Sequence, residues 1–250
     1  MSTASILILL IIGFIWFTYR RIKEFPKFTI ESAMARGDYE HALEVLDGVG
    51  ANKLLTPLEH DTYVMKCYFM LGNHDAFVKQ VKTIATTSYK HDKKAILERW
   101  YYHCIRCQHQ EFADLFLDAL HTCNQASYDV ALLCYRVIFQ HDHTMKDTLQ
   151  QMINNQKEVT FYTALANYLL GVIYFEEHHL DQALHAYDAA LCNFDAIHSD
   201  IFYKDAKAII DTYGNSNYLH YQDQFDYDFK IKQVDMVETY RYKPQQKHRK

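Results

Sequence analysis
Residues Ala164–Ile197 read ALANYLLGVIYFEEHHLDQALHAYDAALCNFDAI: two apolar segments parted by the polar cluster Glu176-Glu177-His178-His179. At 3.6 residues per turn, Leu170, Gly171 and Tyr174 share one side of the first helix. Ala183, Leu184, Tyr187 and Ala190 share one side of the second. Gly171 and Ala183 are small, so two antiparallel helices can approach closely. Tyr174 and Tyr187 fill the space beside them, and Leu170 and Leu184 continue the apolar seam. One such pair cannot bury this face alone, so further pairs must stack against it.

Working outward, the same helix–turn–helix text recurs every 33–38 residues between positions 28 and 198. The copies are Ile30–Val49, Leu58–Ile84, Lys93–Thr122 and Ser127–Asn154, with turns expected near 37, 72, 109, 142 and 178. Gly37-Asp38-Tyr39 and Gly72-Asn73-His74-Asp75 supply turn chemistry, and an acid or amide closes most turns where it can cap the next helix. SDIFYKDAKAIIDTY (199–213) reads as one more helix stopped by Gly214, shielding the open end of the stack.

The pattern Leu170, Gly171, Tyr174, Ala183, Tyr187, Ala190 resembles the tetratricopeptide repeat (TPR) family. Asn167 stands where that family usually has Trp, and Asp195 stands in place of its closing Pro. The resemblance implies an all-α fold: a right-handed α-solenoid of about five helix pairs with a C-terminal capping helix. It also implies a groove, lined by the first helices of successive pairs, that holds a protein or peptide partner. Carried onto the best copy, the groove positions are Leu165, Tyr168, Val172, Phe175 and Glu176. In the copy near Leu58 they are Glu59, Thr62, Lys66, Phe69 and Met70. Aromatic anchors with few polar groups suit an apolar or helical partner segment.

At the N-terminus, MSTASILILLIIGFIWFTY (1–19) carries no charged side chain and would span roughly 28 Å as a helix, close to a ~30 Å hydrocarbon core. Trp16 and Tyr19 suit the headgroup zone, and Arg20 and Arg21 follow. A cleaved signal peptide would begin with basic residues, which are absent. The expectation is a transmembrane anchor at 1–24, a single pass, with the repeats at 28–214 on the cytoplasmic side because the positive charges lie C-terminal to the span. Residues 215–250 form a tail, aromatic and acidic and then basic. It reads either as an extended arm packed on the repeats or as a disordered segment with a recognition motif.

Seven Gly and three Pro in 250 residues disfavour an all-β fold, which needs frequent turns. The net charge is −5, yet residues 20–27 carry +3 and 241–250 carry +5, leaving about −13 on the rest. Such a body disfavours nucleic acid as a partner. The six cysteines fall within helical patterns and read as small buried hydrophobes of a reducing compartment.

His103-Cys104-x-x-Cys107-x-His109 has zinc-ligand residue types, but it lies on a helix, without knuckle glycines or a second CxxC. His141, His143, His178 and His179 fall at turns, where solvated polar side chains are expected. No GxSxG elbow, HExxH helix or phosphate loop occurs. The expected function is therefore a membrane-anchored TPR scaffold or adaptor. No enzyme activity, cofactor, metal or small-molecule substrate is expected. The alternatives are a metal-dependent or enzyme-associated membrane sensor using the Cys104/Cys107 region, or a secreted repeat protein.

Overall fold
The structure, a computed structural model, describes Phe14, Trp16 and residues 27–155, 158–199 and 201–214. Among these residues all regular structure is helical and no strand occurs. The helices are α1 (27–35), α2 (Tyr39–Asp47), α3 (Val49–Leu54), α4 (Pro57–Met70), α5 (His74–Thr86) and α6 (Lys94–Arg106), followed by α7 (Gln110–Cys123), α8 (Gln125–Gln140), α9 (Lys146–Asn155), α10 (Phe161–Glu176), α11 (Leu180–Ala196) and α12 (Tyr203–Tyr213).

The inter-helix turns explain why the text repeats. Backbone with positive φ occurs at Gly37, Gly72, Gln108, His141 and His178, spacings of 35, 36, 33 and 37 residues. In four of these turns the next amide donates to the carbonyl five residues earlier, closing the helix C-terminus. Asp38 N–H bonds Ala33 O at 2.9 Å, Asn73 bonds Tyr68 O at 3.0 Å, His109 bonds Cys104 O at 3.0 Å and His179 bonds Tyr174 O at 2.8 Å. The turn at His141 is wider, with Asp142 N–H reaching Arg136 O at 3.0 Å. A 3₁₀ turn, His143–Met145, then leads into α9.

Asp38, Asn73 and Asp142 each accept a backbone N–H of the element that follows. His109 and His179 occupy the same place without a side-chain cap bond. The one element not foreseen is α3. Its six residues, VGANKL, are too short to show a helical period, though Ala51 is buried in it.

The chain divides into two compact units at Lys93/Lys94. In the first, Ile30, Ala33, Ala42, Leu46, Ala51, Leu55, Val64 and Cys67 form one buried cluster. Its α4 begins with a capping box: Thr56 accepts Glu59 N–H, Glu59 accepts Thr56 N–H, and Pro57 follows at the first helical position. The Thr56 backbone bond holds the Glu59 carboxyl below its ordinary value.

The second unit is organised on α10, where twelve residues are buried. Helices α9, α11 and α8 cover it, so a helix apolar on nearly every side lies inside a protein. Gly171 faces the ring of Tyr187, and a Cβ built there would come within 2.8 Å of that ring.

The expected single-pass membrane localisation with cytoplasmic repeats is corrected by the structure. Among the described residues no helix is long and apolar enough to cross a membrane. The most apolar, α10, has 16 residues. It would span about 24 Å against a ~30 Å hydrocarbon core, and neighbouring helices already cover its sides. The anchor expected at 1–24 lies outside the described residues apart from Phe14 and Trp16, as does the tail at 215–250.

In an exposed helix Gly→Ala is stabilising by about 1 kcal/mol. Gly171→Ala should do the reverse and destabilise by about 1–3 kcal/mol, because the new methyl must displace a fully buried tyrosine. Denaturant unfolding followed by circular dichroism reads the sign, and a stabilised variant would refute the close approach.

Candidate interaction site
The groove positions taken from the repeat resemblance are mostly interior. Leu165, Tyr168, Val172 and Phe175 are buried along α10, and Phe69 is buried against Phe77 in the first unit. Of the others on α4, Glu59 belongs to the capping box, Thr62 donates to Leu58 O at 2.6 Å, Lys66 is exposed and Met70 is half-buried. These positions lie on α4 and α10, and on α10 that face is covered.

Tyr187 of α11 and the segment after it cover Tyr168 and Phe175, while other first helices meet the start of α10. Tyr101 on α6 donates its hydroxyl to Ala131 O of α8 at 2.5 Å. The ring of Tyr102 lies 5.0 Å from that of Phe161 at the start of α10, and Tyr162 donates to Glu98 Oε1 at 3.1 Å. First helices α6, α8 and α10 of consecutive pairs thus share one face.

The segment α12 packs chiefly on α11 and reaches this face through Phe202, Asp205 and Tyr213. Its buried residues Phe202, Ala206, Ile209 and Tyr213 form a stripe at helical spacing. Phe202 enters between Tyr168 (4.7 Å between centroids) and Tyr102 (6.0 Å), and Tyr213 meets Phe175 at 5.5 Å. At the edge, Arg106 at the end of α6 grips Asp205 with two parallel bonds, Nε–Oδ2 at 2.5 Å and Nη2–Oδ1 at 2.8 Å. A bidentate guanidinium–carboxylate pair on a partly buried rim fixes register as well as contributing energy. The Tyr102 and Tyr187 hydroxyls are buried without a hydrogen-bond partner.

A second cluster escaped the sequence reading. The His141–His143 turn meets the C-terminal end of α10. His141 Nδ1 lies 2.9 Å from Glu176 Oε1 and His143 Nε2 lies 2.8 Å from Glu176 Oε2. Lys146 donates to Glu177 Oε2 at 2.5 Å, and His143 Nδ1 and His179 Nδ1 lie 3.5 and 3.6 Å from that carboxylate. His141 and His143 therefore fasten the turn after α8 to the end of α10, while His179 meets a carboxylate of its own turn and, like His141, stays largely exposed. The available signal was that His and Glu sit at matching places of turns about 35 residues apart.

The Cys104/Cys107 region holds neutral groups. Cys104 is buried, Cys107 is partly so, and Cys107 Sγ lies 3.7 Å from His103 Nε2. Burial pushes both thiols up, and burial followed by the Arg106 charge brings His103 down to about 4. A thiolate site needs the opposite environment. Among the described residues no group of three or more His, Cys, Asp and Glu side chains is arranged to hold a metal ion.

Tyr168→Ala should remove about 3–5 kcal/mol from the stability of the fold, so the loss appears in unfolding curves. His103 supplies a pH dependence. The unfolded imidazole takes a proton near 6.5 and the folded one near 4, so the unfolded state binds more protons between those values. Its contribution is complete above about 6.5 and is lost as pH falls toward 4, roughly 2–3 kcal/mol in all. His103→Gln should remove that part of the slope in denaturant titrations at pH 7, 5.5 and 4, and an unchanged slope would refute the assignment.

Comparisons with family models, with curated proteins and with solved structures give no match.

Proposed function
We propose that this chain is a non-enzymatic scaffold that binds a helical segment of a protein partner. Its pairs are read as TPR-like units of a right-handed α-solenoid. The observation that carries the reading is α12 itself, an amphipathic helix packed on α11 and fixed to the edge of α6 and α10 by one aromatic knob and one Arg–carboxylate fork. A face that accepts a helix of its own chain has the shape and chemistry to accept another, the helix-in-groove mode of recognition.

Three further observations support it. The Ala164–Ile197 text carries the family pattern, with Gly171 packed on Tyr187. First helices of consecutive pairs meet, as a groove-forming repeat requires. The acidic body argues for a protein rather than a nucleic acid as partner. Nothing specific favours a sensor built on Cys104 and Cys107, where the thiols are held neutral.

The test is purification of the full chain at native abundance, after cross-linking, with quantitative mass spectrometry. A defined protein should be recovered in stoichiometric amount with the native chain and fall at least tenfold with Arg106→Glu. Equal recovery of every associated protein by both chains would overturn the proposal.

A further inference from the structure
We infer that α12 is a displaceable intramolecular ligand, occupying the α6–α10 face until a partner helix presenting an aromatic residue followed three positions later by a carboxylate takes its place. This rests on the scaffold reading above and names the partner's chemistry and the event that admits it.

The left-handed residue at its entry sets α12 apart from the other helices of its unit. It begins at Phe202 with φ +61°, four residues after the helix-ending turn at His198, φ +53°. Left-handed backbone is unfavourable by about 1–2 kcal/mol for a residue with a side chain, and a bulky aromatic there is unusual. Strain of this kind persists only while the surroundings enforce it. Here the enforcement is insertion of the Phe202 ring between Tyr102 and Tyr168.

The helix has 11 residues, fewer than the ~12–15 at which isolated helices become even marginal in water. It is therefore a helix only while docked, and undocking is also its unfolding. The fit is incomplete as well. The Tyr102 hydroxyl, on the ring that faces Phe202, is buried with no acceptor, and each such orphan is unfavourable by about 1–3 kcal/mol. A partner that keeps the ring contact and brings an acceptor would hold the face better than α12 does.

The requirements on that partner follow from what α12 fills. An aromatic enters between Tyr102 and Tyr168. An acid three residues on meets Arg106, as Asp205 does at 2.5 and 2.8 Å. Apolar side chains four, seven and eleven residues after the aromatic continue the stripe, as Ala206, Ile209 and Tyr213 do. The exposed side of α12, with Lys204, Lys207 and Asp211, places no demand.

Occupancy by α12 lowers apparent affinity for any competitor by the fraction of molecules that are open. The probe is a fluorescent peptide of residues 199–214, SDIFYKDAKAIIDTYG, titrated into the full chain. Asp205→Ala in the chain should loosen its own α12 and raise peptide affinity at least tenfold over the native chain. The same peptide carrying Asp205→Ala should lose that gain. Native-state hydrogen exchange of the unaltered chain provides a readout independent of variants: α12 amides should exchange through an opening that leaves α10 and α11 protected.

Equal peptide affinity for both chains would overturn the inference, as would α12 exchanging only with global unfolding. Concentration-dependent dimers of the Asp205→Ala chain would also overturn it, in favour of exchange of α12 between copies. Such failures leave the partner purification above standing on its own result, whereas loss of that partner reading alone would leave α12 opening still measurable.

Discussion
The second unit depends on the absence of a side chain at position 171. A β-carbon there would meet the Tyr187 ring at 2.8 Å, so only glycine lets α10 and α11 lie against each other at this separation. That approach puts Tyr187 in the interior, where it touches Tyr168 and Phe175 on the same helix. The same two side chains also meet Phe202 and Tyr213 of the α12 segment, so α11 and α12 share one aromatic edge of α10. A protein interior is packed too densely for such a contact to relax without moving its neighbours. The α10–α11 spacing therefore propagates into the place where Phe202 enters.

Charge is used sparingly and mostly at borders. Arg106 with Asp205 joins α6 to α12, and Glu176 with His141 and His143 joins the end of α10 to the turn after α8. Neither pairing lies in the apolar centre, where an ion pair would meet a large desolvation cost. At a rim they select one register among several that apolar contact alone would tolerate. The histidines serve a further local purpose. His141 and His178 adopt positive φ where Gly37 and Gly72 do so in the first unit. The later turns thus accept a modest backbone strain, and His141 in return supplies a fastening side chain to the next pair.

The Cys104/Cys107 segment shows how residue type alone misleads about chemistry. Cys-x-x-Cys flanked by histidines has the composition of a zinc site. Placed on α6 with one thiol fully inside, it becomes part of the packing, and burial disfavours the thiolate that ligation by cysteine needs. Leu165, Tyr168, Val172 and Phe175 are on the expected helix, but other parts of the same chain cover them.

What the sequence determined by itself was local. The turns were expected near 37, 72, 109, 142 and 178, and the backbone turns at 37, 72, 108, 141 and 178, because glycine, capping acids and amides and breaks in apolar periodicity act over a few residues. The helical fold, the stopping of α12 at Gly214 and the reason for Gly171 were legible in the same way. The tertiary structure alone decided which apolar faces stay open, since a tyrosine awaiting a partner and one awaiting α12 are written identically. It also decided the division at Lys93 and the pairing of Arg106 with Asp205, 99 residues apart. Long-range pairings of this kind depend on how helices cross, and a one-dimensional period carries no information about the angle.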